Sequence, residues 1–105
     1  MTDKLIHFDK LDWEQPQEGV KQKIYSNGDK QLRLLRFSDN FIEHDWCTKG
    51  HVGYILSGEM KIDFNGQTKH YSQGDGLWIE AGEHCKHKLT VDKGHQAELI
   101  LFESK

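Results

Sequence analysis

A chain of 105 residues, 30% of them charged and 35% hydrophobic, has room for one domain with one modest core. Its formal net charge of -3, with both signs interspersed, supplies no cationic field for nucleic acid or anionic lipid. No apolar run approaches the roughly 18 residues that cross a bilayer, and "MTDKLIHF" lacks the long apolar segment of a secretory signal, so a cytoplasmic protein is expected.

One domain over 1–105 is expected, with residues 1–18 a loosely ordered lead-in. Its "HFDKLDW" is a helical window too short to hold without tertiary contacts. "VKQKIYS", the turn signal Asn27-Gly28 and "KQLRLLRFS" then predict a β-hairpin. The following runs "HVGYILSG", "EMKIDFNG", "QTKHYSQG", "GLWIEAG", "CKHKLTV" and "AELILFE" read as short strands, punctuated by Asn65-Gly66, Gln73-Gly74-Asp75-Gly76, Ala81-Gly82 and Lys93-Gly94. Strands at this even spacing predict an all-β barrel or sandwich, because a lone antiparallel sheet leaves one apolar face and two edges uncovered.

The stretch "HVGYILSGEMKIDFNGQTKHYSQGDGLWIEAGEHCKH" resembles the conserved barrel of the small cupins, the cupin 2 group, and the similarity extends over most of the chain from about Trp13. Gly58-Glu59 stands at the end of the first motif; Gly74-Asp75, Ile79 and Ala81-Gly82 mark the second. The resemblance implies a double-stranded β-helix, or jelly roll, with its functional site in the lumen. Counted along these motifs, the two usual histidine positions fall on Asp45 and Cys47, the usual Glu or Gln on His51, and the second-motif histidine on Cys85, with His87 two residues on.

Each substituted residue is still a competent ligand, so Asp45, Cys47, His51, Cys85 and His87 are the candidate metal ligands. If "EHDWC" is extended, Asp45 and Cys47 leave the same face, and the same parity pairs Cys85 with His87. Sulfur beside imidazole and carboxylate favours zinc as the divalent metal, with iron or nickel as alternatives. Other readings of the same residues are a metal-free polar pocket, two cysteines buried as small hydrophobes, and a Cys47–Cys85 disulfide. His7, His44, His70 and His95 are expected at the surface, and Tyr54 and Trp78 as sheet-packing aromatics.

The function expected is binding of, or catalysis on, a small polar metabolite resembling a sugar or keto acid. An interior metal would act as a Lewis acid in isomerase- or lyase-type chemistry. The alternative is a non-catalytic binding or sensing barrel whose metal is structural or absent: four ligands would saturate tetrahedral zinc and close the site. No residue is assigned as catalytic. A homodimer is expected through the apolar faces of "QLRLLRF" or "AELILFE".

Overall fold

The computed structural model describes residues 4–104; the first three residues and the last one of the expected domain lie outside the described residues. Eight strands run in chain order: β1 (Glu14–Gln17), β2 (Val20–Asn27), β3 (Lys30–Phe37), β4 (His51–Phe64), β5 (Gln67–Ser72), β6 (Gly76–Ile79), β7 (Lys88–Thr90) and β8 (Ala97–Ser104). All pairings are antiparallel, and the strands form one curled sheet in the order β1-β2-β3-β8-β4-β5, with β6 and β7 added to the flanks of β4. Among the described residues the only helical turns are 3-10 turns at Phe8–Lys10 and Glu83–Cys85, and no helix is long and apolar enough to cross a membrane.

The hairpins close where the sequence signals them. Asn27 pairs with Lys30, leaving Gly28 and Asp29 at the corner; Phe64 pairs with Gln67, with Asn65 and Gly66 both at positive φ (55° and 106°), as a tight two-residue hairpin turn requires. The lead-in is more ordered than expected. Residues 14–17 form the edge strand β1, which tolerates Pro16 because an edge position needs no second row of hydrogen bonds. Ahead of it, the Lys23 ammonium donates to the Phe8 carbonyl at 2.7 Å and lies under the Trp13 ring, holding the segment down.

"HVGYILSG" and "EMKIDFNG" form one continuous strand rather than two. In β4, Ile55 pairs with Leu99 and Ser57 with Glu98, so β4 carries one residue more than β8 at this point, a β-bulge. The bulge reverses the inward parity: His51, Gly53 and Ile55 face the lumen before it, Met60 and Ile62 after it. Gly58, at φ 78°, passes so close to β8 that a Cβ there would lie 1.8 Å from the Gln96 carbonyl oxygen. β4 thus belongs to both walls: its first part pairs with β6 and β8, its second with β5 and β7.

The core fills the space between the walls, with Ile55, Ile62 and Leu99 the largest fully buried side chains. Gly53 sets how closely β4 and β8 approach. A Cβ there would meet the Ile100 carbonyl oxygen at 2.2 Å and the Leu101 side chain at 2.7 Å, whereas one at Gly76 would meet nothing nearer than 3.6 Å. In urea unfolding, Gly53→Ala is expected to cost about 1–3 kcal/mol or more, and Gly76→Ala less than about 1 kcal/mol. Equal losses in the two variants would remove the close-approach argument.

Candidate metal centre

Three of the five candidate ligands come together. One ligand atom from each of Cys47, His51 and His87 lies within 4.8 Å of the others, and Cys47 Sγ is 3.7 Å from His51 Nε2. His51 reaches the lumen as the first residue of β4. Cys47 and His87 face each other as an isolated antiparallel bridge, exchanging backbone hydrogen bonds of 2.9 and 3.0 Å. His87 is 3% exposed, with its ring edge-on to that of His51 at 5.3 Å and tilted against Phe64 at 6.0 Å.

The structure places Asp45 and Cys85 outside this group, for backbone reasons. Ile42 bridges Thr90 and Cys47 bridges His87, so five steps on one side match three on the other. The surplus residues loop outward, and Asp45 sits exposed at the bend, so the extended parity expected for "EHDWC" does not apply. Cys85 ends the 3-10 turn instead of lying in a strand, and its half-buried side chain packs against the hydrophobic core. Both cysteines are free, with no disulfide between them.

Hydrogen bonds determine the tautomer of both rings. His87 Nδ1 lies 2.9 Å from the Cys85 carbonyl and His51 Nδ1 lies 2.7 Å from Glu103 Oε2. A carbonyl and an ionised carboxylate can only accept, so each Nδ1 carries a hydrogen, and Nε2 is the nitrogen of each ring that would bind a metal. Two imidazoles and a cysteine sulfur make a donor set that fits zinc or another borderline-soft divalent ion.

Glu103 was not singled out by sequence reasoning. The Val52–Phe102 pair sets it beside His51 across the β4–β8 ladder, and Gln31 pairs with it from β3. Its buried carboxylate accepts from Gln31 Nε2 at 2.9 Å, from Arg33 Nε and Nη2 at 3.0 and 2.8 Å, and from His51. Burial by itself would raise its pKa. The hydrogen bonds from His51, Arg33 and Gln31 and the Arg33 charge outweigh that and hold it down at about 2. The strand alternation carried a signal: in "AELILFE" an acid stands on the face of Ala97, Leu99 and Leu101.

The three donors open onto a cavity of about 380 Å³ that runs through the lumen. Leu35, Met60, Ile62, Leu77, Leu99 and Leu101 supply much of its wall, while Gln22, Arg33, Glu43 and Lys49 add polar groups. Arg33 is paired with Glu103, and Glu43 Oε1 accepts the Leu89 N–H at 2.9 Å. His7, His44, His70 and His95 are exposed as expected. Tyr54 and Trp78 are not packed inside: they stand on the outer face, 48% and 77% exposed.

The profile of the EutQ-like cupin domain matches residues 36–94, more than half of the chain. No functionally curated protein matches it in sequence. Among solved structures, an RmlC-like cupin from Shewanella frigidimarina superposes with a TM-score of 0.79 at 17% identity, covering 98% of this chain and 91% of the other. KdgF from Halomonas superposes with a TM-score of 0.78 at 18% identity, covering 99% and 96%. A sugar phosphate isomerase of the cupin superfamily from Silicibacter pomeroyi does so with a TM-score of 0.78 at 10% identity, covering 96% and 75%. At these identities the likeness is one of fold, and it makes the curled sheet a cupin-type double-stranded β-helix.

The low pKa of Glu103 has a definite sign in stability. A carboxylate whose folded pKa lies below its unfolded value stabilises the fold above about pH 4.5, and that contribution is lost as pH falls toward 2. Urea unfolding of metal-stripped protein between pH 5 and 2 is expected to show a loss on the order of 1–3 kcal/mol that Glu103→Gln removes. A variant with the same acid slope as the wild type would show that Glu103 is not its source.

Proposed function

The chain belongs to the EutQ-like cupin domain family, and from that premise we propose that its lumen holds one divalent metal, zinc in the first instance, on Cys47, His51 and His87, and that a small metabolite binds beside it. The observation that carries this reading is that one ligand atom from each of the three residues lies within 4.8 Å of the others, while an acceptor holds each histidine's Nδ1. Three protein ligands leave a coordination position for a metabolite, unlike the four that would close a structural zinc site.

A metal bound here would act as a Lewis acid, polarising a carbonyl or lowering the pKa of a water. Glu103 would then orient His51 and raise its basicity, as carboxylates behind metal-bound histidines do. Arg33 holds Glu103 in place from the other side. The apolar wall excludes bulk water and strengthens every charge interaction at the donors. Isomerase- or lyase-type chemistry on a sugar- or keto-acid-like molecule suits this arrangement, and a cytoplasmic setting would keep Cys47 reduced.

One observation favours the alternative, a non-catalytic binding or sensing barrel. Glu43 is the sole carboxylate on the cavity wall among the described residues, and one of its oxygens is engaged by the Leu89 amide. A proton acceptor beside the bound molecule is therefore scarce.

A homodimer is also proposed. Trp78, Val52, Phe102 and Leu32 form one row across β6, β4, β8 and β3 on the outer face, with Tyr54 and Ile100 in the next row. Trp78 at 77% exposure and Phe102 and Tyr54 at 48% give this face an apolar surface that a second copy would cover by two-fold symmetry.

Elemental analysis of protein purified without a metal-affinity tag is expected to give about one zinc per chain, lost in Cys47→Ala and His51→Ala and kept in Asp45→Ala and Cys85→Ala. A metal-free wild type would sink the metal reading. Light scattering is expected to report a dimer that Trp78→Glu converts to a monomer; a monomeric wild type would refute the assembly.

A further inference from the structure

We infer that the lumen selects a monocarboxylic acid with an apolar body, of the branched or aromatic 2-oxo acid class, over a sugar or sugar phosphate. The inference rests on the metal reading above for the head group and for the one surplus positive charge counted below; the preference for an apolar body comes from the wall.

The wall argues first. Leu35, Ile62, Leu77, Leu99 and Leu101 present hydrocarbon to the cavity and cannot pair with a hydroxyl. Apolar side chains outnumber polar ones such as Gln22, Arg33, Glu43 and Lys49 along the wall. A sugar carries a hydroxyl on almost every carbon, and each one pressed against such a wall gives up its water without a replacement. A branched or aromatic body loses nothing there and gains by leaving water. A volume of about 380 Å³ lies in the ordinary range for small-ligand pockets and leaves space for such a body.

The charges argue second. Arg33 and Glu103 are paired at 2.8 Å and cancel. Lys49 lines the cavity with no salt-bridge partner among the described residues, while Glu43 lines it as a carboxylate. A divalent ion on one thiolate and two neutral imidazoles adds one surplus positive charge. A single carboxylate balances that surplus, and Lys49 favours its approach. A phosphate dianion would exceed it and would face Glu43.

The test is calorimetric titration with 4-methyl-2-oxopentanoate, with the uncharged ketone 4-methylpentan-2-one and with fructose 6-phosphate, each at two temperatures, on metal-loaded and metal-stripped protein. The oxo acid is expected to bind at least about tenfold more tightly than the sugar phosphate, with a negative heat-capacity change from apolar burial. Lys49→Gln is expected to weaken the oxo acid about three- to fivefold and leave the ketone unchanged. A sugar phosphate that binds as well as the oxo acid, or no oxo-acid binding in either state, overturns the inference. If the protein takes up no metal yet keeps the preference, the metal reading fails and this one stands; if it takes up metal and shows no preference, the reverse holds.

Discussion

The bulge in β4 is the constraint on which the site depends. Side chains of a strand alternate between its faces, so without an extra residue between Ile55 and Ser57 a lumen-facing His51 would turn Met60 and Ile62 outward. With it, one strand supplies a polar inward end to one wall and an apolar inward end to the other. Gly58 makes the crossing possible because any side chain there would enter the Gln96 carbonyl. Gly53 lets β8 come close enough to bring Glu103 behind His51.

Polar groups in the lumen are arranged as a chain rather than as isolated charges. Gln31, Arg33 and His51 all donate to one buried carboxylate, so the cost of burying Glu103 is offset locally and its charge is kept. The far end of that chain is His51 Nε2, facing Cys47. On the other side of the cluster a backbone carbonyl does for His87 what Glu103 does for His51. Two different acceptors therefore impose the same tautomer on two rings, and the ring positions are set by strand pairing at β8 and by a single bridge at Cys47–His87.

Much of the fold was legible. Alternation marked β2, β3, β5, β6 and β8, and the Asn-Gly pairs marked the corners, because local turn chemistry and period-two patterning act within a few residues. The β1 strand was missed, since Pro16 and four exposed residues in a row remove the alternation that would reveal an edge strand. The joining of two runs into β4 was missed because a bulge and a turn both ask for glycine. At the site, His51, Cys47 and His87 were legible as ligand types, and Glu103 stood in view as an acid on an apolar face.

What the sequence determined by itself was the all-β class, the turns, and a short list of residues able to bind a metal, all of which follow from local backbone preferences and side-chain chemistry. Only the tertiary structure decided which of them meet. Asp45 is carried outward by two surplus residues between bridges, Cys85 ends a 3-10 turn half-buried against the core, and Glu103 is brought 52 positions back along the chain to His51 by strand register. Register and bulges are set by the packing of strands distant in sequence, which no local pattern encodes.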